Sequence, residues 1–174
     1  MGFDKATMVI SGMPLARRVA RALGAVTEPA IEVGPGVSGL PVAREENPGK
    51  GPLAAVCAGA SALKSLGFSG PVLVVACDLP LLTGTALGVI ANWPGERSVV
   101  PVVDGHPQPL CARWSAADLA TAEALVAAGD LSMTALLSGS TPLFVDEASW
   151  PDDLDRSAFR DVDTPEDLDR LGLR

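Results

Sequence analysis

The chain has no tyrosine, and aromatic residues make up only 4% of it, although 48% of its residues are apolar. A core of that composition must be built from Ala, Val and Leu, the usage of helices packed on a parallel sheet. Cysteine is equally sparse. The three present, Cys57, Cys77 and Cys111, stand far apart without a CxxC pair, which excludes a disulfide framework and a cysteine zinc site; they read as small buried hydrophobes. No apolar run reaches the roughly 18 residues needed to cross a bilayer, and residues 1–5 lack a signal-peptide pattern, so a cytoplasmic protein without a membrane partner is expected. Basic residues number 13 against 21 acidic ones, for a net charge of −8. That balance excludes nucleic acid as a partner, because a phosphate backbone is bound by a basic face that displaces counterions. A triphosphate ligand would need local cations or a metal, since the overall field repels anions. The 174 residues suffice for one domain, 1–174, without a covalent staple. Nothing in them sets an oligomeric state.

Periodicity and turn formers give the organisation. Pro14 followed by Leu15, Val19 and Leu23 predicts a first helix stopped by Gly24, with Arg17, Arg18 and Arg21 facing outward. Short strands are predicted over 30–33 and 41–45, around a Gly/Pro-dense loop. Pro52 suits the first turn of a second helix, which runs to about Leu66. The segment 71–77, PVLVVAC, is apolar on both faces and predicts a strand in the middle of a parallel sheet. A helix over about 83–93 precedes a strand at 98–103, and Asp104-Gly105 offers a hairpin turn into 108–114. Ser115 with Asp118 marks the start of a helix ending at Gly129, a shorter helix covers 133–137, and 141–145 reads as the last core strand. Thr164-Pro165-Glu166-Asp167 opens a final helix before Gly172. Alternating strands and helices predict a three-layer α/β domain with one inserted hairpin.

Five places carry candidate chemistry. Asp78 leaves the carboxyl end of a buried strand, where ligands bind in open α/β sheets and a carboxylate can hold Mg2+ against phosphates; its alternative role is to cap the helix after Pro80. Met1-Gly2-Phe3-Asp4-Lys5 sets a lysine near a glycine, which suits a phosphate and is also common on surfaces. In Gly49-Lys50-Gly51-Pro52-Leu53, flexible backbone precedes a helix N-terminus whose free N–H groups can bind an anion or read a base edge, or simply form a loop. His106, the only histidine, sits beside a turn and before Pro107; substrate contact and a plain surface position both remain open. Asp161-Val162-Asp163 offers a second metal carboxylate or a helix cap. Met8, Met13 and Met133 read as packing residues.

Taken in order, MGFDK (1–5), GPLAA (51–55), CDLP (77–80), GHPQPL (105–110) and DVDTPEDL (161–168) resemble the molybdenum cofactor guanylyltransferases, the MobA-type enzymes, and the likeness runs from residue 1 to about 171. The resemblance implies a Rossmann-like nucleotidyltransferase fold with a mostly parallel sheet, binding GTP and Mg2+. In that family a phosphate on molybdopterin attacks the α-phosphorus and pyrophosphate leaves. It further implies that Lys5 holds the triphosphate, that Asp78 holds the metal, and that Gly51, Pro52 and Leu53 lie close to the guanine. Glu46 stands where an Asp is usual in the nucleotide site, Asp163 where a metal-site Asn or Asp occurs, and His106 and Pro107 lie in the substrate-side motif. The family's usual first strand and Leu-Ala-Gly-Gly stretch would precede Met1, so a sheet without that strand, and weak GTP binding, are expected of the chain as given. Cytidylyl transfer, a sugar-phosphate acceptor, and a nucleotide-binding protein without catalysis are the competing readings.

Overall fold

The computed structural model describes residues 5–45, 49–162, 167, 169 and 173. A 3-10 turn, Lys5–Thr7, leads into a hairpin of β1 (Val9–Ile10) and β2 (Met13–Pro14), then α1 (Leu15–Gly24). Two short strands, β3 (Glu32–Val33) and β4 (Val42–Ala43), pair in parallel. The main sheet takes β5 (Val72–Val75), β6 (Val99–Val103), β7 (His106–Pro107), β8 (Cys111–Trp114) and β9 (Leu143–Asp146). Its helices are α2 (Pro52–Ser65), α3 (Gly84–Ala91), α4 (Ala116–Ala127) and α5 (Met133–Gly139).

Strand alternation explains the layering, because successive side chains on a strand point to opposite faces. Leu73, Val75, Val99, Val103 and Cys111 pack with Val19 and Ala22 of α1 and with Leu87 and Ile90 of α3. Val72, Val74, Val100, Ala112 and Trp114 pack instead with Leu53 and Val56 of α2, Leu119 and Ala122 of α4, and Met133 and Leu136 of α5. One sheet thus lies between two helical layers, as the alternating pattern predicts.

The strand directions correct one expectation. β8 runs antiparallel to both β5 and β6, β7 is antiparallel to β6, and only β9 lies parallel to β6. The sheet is therefore mixed, not mostly parallel. β5 and β6 share a direction, but β8 lies between them. An apolar segment such as PVLVVAC reports burial on two faces and carries no information on its neighbour's direction. The expected hairpin forms with an insertion: Asp104 (φ 49°) and Gly105 (φ 77°) turn the chain into β7, two residues long, and β8 then pairs antiparallel with β6 on one edge and with β5 on the other. Pro101 has no N–H with which to continue the β6–β8 ladder, which is limited to Val99 opposite Arg113.

Helix ends follow the cap chemistry. Thr83, Ser115 and Ser132 each accept a backbone N–H from the third residue on, at 3.1–3.2 Å. Arg17 and Arg21 face solvent as expected, whereas Arg18 is half-buried, with Nη2 3.5 Å from the carbonyl of Ile10. Two 3-10 turns, Glu147–Ser149 and Arg156–Phe159, follow β9; they bury Trp150 and Phe159 with ring centroids 4.9 Å apart. Of the final helix, Asp167 and Asp169 are described and helical; residues 164–166 lie outside the described residues. On the other side of β5, among the described residues, an apolar groove of about 360 Å³ runs between α1, α2 and β3.

Candidate functional site

The carboxyl ends of β5 and β6 lie at the same end of the sheet, because both strands run against β8. Asp78 follows β5 there, and the turn bearing His106 follows β6. β8 begins at the same end: the N–H of Ala76 donates to the carbonyl of Leu110 at 2.7 Å. Leu110 is in turn steadied from behind, since the buried indole of Trp114 donates to the carbonyl of Pro109 at 3.0 Å. Pro52, in the first turn of α2, lines the same groove as Ala76, Cys77 and Leu110. The CDLP and PQPL segments therefore meet at one end of the sheet, and Pro52 of the GPL segment lines the groove that runs along β5.

Asp78 is half-buried, with Leu79 and Pro80 packed beneath it. Its reading as a helix cap does not hold, because Thr83 caps α3. Its carbonyl accepts the N–H of Val162 at 3.0 Å, which lays the segment ahead of Asp163 beside it. Val162 is fully buried against Met8, Ile10 and Leu15. A single packing unit thus connects the residues that follow Lys5, the carbonyl of Asp78 and the 161–162 segment. Burial, and then the negative charge of Asp78, push the Cys111 thiol up to about 12. Cys111 is consequently a neutral hydrophobe under the carboxylate and not a nucleophile.

The other sequence candidates fall as follows. The backbone of Lys5 opens the first 3-10 turn, while its side chain lies outside what is described. Glu46 and Asp163 lie outside the described residues. Gly51 is the residue before α2 and adopts φ 133°, a conformation that L side chains rarely take. No side chain caps α2; the N–H of Leu53 donates to the carbonyl of Leu131 at 3.3 Å. Pro52 is exposed and Leu53 fully buried, so Leu53 is the core anchor of this loop and Pro52 its open face. His106 and Pro107 are exposed at the tip of the sheet. The Nδ1 of His106 lies 2.9 Å from the carbonyl of Asp104, and Gln108 donates to the His106 carbonyl at 3.2 Å.

Among the described residues no three His, Cys, Asp or Glu side chains form a metal cluster. One strand-end carboxylate still suits Mg2+, which is commonly bound through one or two carboxylates, water and substrate phosphates. Sequence reasoning missed the roles of Val162 and Leu131, both of which act through backbone groups that leave no residue-type signature.

A mixed sheet between two helical layers, with a carboxylate at the carboxyl end of a strand, places the chain among α/β proteins, and its likeness to solved structures makes the fold nucleotidyltransferase-like. The chain belongs to the MobA-like NTP transferase domain family, whose family model matches residues 1–142. It is a nucleotidyltransferase enzyme. A molybdenum cofactor guanylyltransferase of Cereibacter sphaeroides is 30% identical over 177 residues, covering 97% of this chain and 86% of the relative. A probable molybdenum cofactor guanylyltransferase of Natronomonas pharaonis is 29% identical over 185 residues, covering 98% and 89%. The crystal structure of molybdopterin-guanine dinucleotide biosynthesis protein A from Archaeoglobus fulgidus superposes with a TM-score of 0.74 at 19% identity, covering 97% of this chain and 89% of that one. A protein from Aquifex aeolicus superposes with a TM-score of 0.71 at 21% identity, covering 86% and 79%. At such identities the solved structures establish the fold alone.

Among the described residues no helix is long and apolar enough to cross a membrane.

Proposed function

We propose that the chain acts as a single nucleotidyltransferase domain that transfers GMP from GTP to molybdopterin, releasing pyrophosphate. The observation that carries this reading is the packing unit at Val162, which ties the segment after Lys5 and the segment before Asp163 to the carbonyl of Asp78. A phosphate oxygen of the acceptor forms a bond to the α-phosphorus of GTP. The bond from that phosphorus to the bridging oxygen breaks, and the electron pair leaves with pyrophosphate.

In this reading Lys5 binds the triphosphate and offsets charge on the leaving pyrophosphate. Asp78, with Asp163 as the second carboxylate, would hold Mg2+, which when bound supplies further charge neutralisation on the phosphates. Gly51, Pro52 and Leu53, with Glu46, set the edge that meets guanine. Pro52 and the groove floor at Ala76–Cys77 keep one side of that edge apolar. His106 and Pro107 contact the pterin acceptor from the end of β6. With a net charge of −8 the chain gains nothing from long-range attraction of a triphosphate, so affinity rests on these local groups. Catalysis then rests mainly on alignment of acceptor and α-phosphorus.

Product analysis tests the assignment. Purified chain with Mg2+ and molybdopterin, supplied in turn with GTP and CTP, is expected to give the guanine dinucleotide with GTP. Preferential turnover of CTP would overturn guanylyl transfer, and a product formed on a sugar phosphate but not on molybdopterin would overturn the acceptor.

A further inference from the structure

Gly51 reaches its unusual backbone conformation against a specific neighbour. A Cβ built on it would lie 2.9 Å from the carbonyl oxygen and 3.2 Å from the Cβ of Leu131. That same carbonyl accepts the N–H of Leu53 at 3.3 Å, in place of the side-chain cap that α2 lacks. Residue 131 therefore both confines Gly51 and fixes the first turn of the helix that follows it.

The turn around Leu131 is itself held at both ends. Gly129, at φ 88°, stops α4, and the N–H of Asp130 donates to the carbonyl of Leu125 at 3.0 Å. Asp130 Oδ1 accepts both the N–H and the hydroxyl of Ser132, at 3.2 and 3.0 Å. Ser132 Oγ accepts the N–H of Ala135 at 3.1 Å and so starts α5. Beneath this turn, Met133 and Leu136 are buried in the cluster that contains Leu53. Asp130 and Ser132 are exposed, so their hydrogen bonds shape the turn without forming the core.

We infer that the turn at 130–132 is a positioning element that sets base affinity, because Asp130 and Ser132 hold the Leu131 carbonyl where it fixes residues 51–53. The inference rests on the proposed contact of residues 51–53 with the base. Neither Asp130 nor Ser132 touches nucleotide; each acts through Leu131. Loosening the turn lets the carbonyl drift, and the loop then spends less time in the conformation that receives the base. The triphosphate contacts, at Lys5 and Asp78, belong to a different part of the chain and are unaffected.

The test is the double variant Asp130→Ala/Ser132→Ala in the full chain, with binding of GTP and of inorganic pyrophosphate measured calorimetrically in the presence of Mg2+. GTP is expected to bind about tenfold more weakly, with pyrophosphate affinity unchanged. The conservative pair Asp130→Asn/Ser132→Thr, which keeps the acceptor and the hydroxyl, is expected to restore wild-type affinity. An unchanged GTP affinity in the Ala variant would overturn the positioning role. So would equal weakening of both ligands, which marks a general loss of structure. Wild-type protein that binds pyrophosphate but not GTP would instead overturn the base contact of residues 51–53, and the inference with it.

Discussion

The backbone N–H of Val162 donates to the carbonyl of Asp78 at 3.0 Å, joining the far end of the chain to the exit of β5. Because the bond uses the main chain of Asp78, the carboxylate can be altered without breaking it. Asp78→Asn is therefore expected to lower turnover by at least about 10²-fold, with little change in thermal midpoint. Pyrophosphate release and a melting curve on the same preparation check this; wild-type turnover would remove Asp78 from the site.

Thr83 takes the capping role that Asp78 does not. Thr83→Ala removes the acceptor for Ala86 N–H and is expected to cost about 1 kcal/mol, or roughly 2–4 °C for a chain of this size. Turnover should stay close to wild type. A Thr83→Ala protein that melts normally would mean that the cap contributes nothing here.

How much of this was legible beforehand depends on the kind of signal. Several helices were readable because their ends are written in residue types: Pro52 in a first turn, Ser115 as an acceptor, Gly129 as a stop; the caps Thr83 and Ser132 emerge only in the structure. Strand order was not, because β8 enters between β5 and β6 through pairings that alternating apolar residues do not encode. Asp78 stood out as a carboxylate ending an apolar run. By contrast, Val162 looks like any buried valine and Leu131 like any leucine; their contacts with Asp78 and with Leu53 at the start of α2 use an N–H and a C=O that every such residue carries.

Glu32 offers a pH test. Burial alone would raise its pKa, but hydrogen bonds from the Ser38 hydroxyl and from the N–H groups of Ser38, Gly36 and Val37 prevail and hold it below the usual carboxylate range. A group whose folded pKa is depressed adds stability above its unfolded value and loses it as pH falls through the folded one. Glu32→Gln is thus expected to melt below wild type at pH 7. The gap should close as the pH drops below about 4. Melting curves of both proteins across that range decide it, and a constant gap would mean that the charge is not what the loop at 36–38 holds.

Arg113 is buried in β8, and its guanidinium donates to the carbonyls of Ala91, Trp93, Gly95 and Arg97 at 2.8–3.0 Å. Arg113→Met leaves those carbonyls without their donor and is expected to destabilise by about 3 kcal/mol or more, a drop of roughly 6–12 °C. Arg113→Lys should rescue little of it, because a compact ammonium cannot spread over the same span as the planar fork. Thermal melts of both variants check the ranking; full rescue by Lys would show that charge alone suffices.

That guanidinium also couples two separate parts of the chain. The carbonyls it gathers belong to the last residue of α3 and to the connection from there to β6, yet their donor lies on a strand 16 to 22 residues further along the chain. Those four carbonyls keep this donor only while β8 is in place. Amide protons in the two places should therefore exchange through one shared opening, although they lie in different parts of the sequence and one of them, on paper, is only a loop.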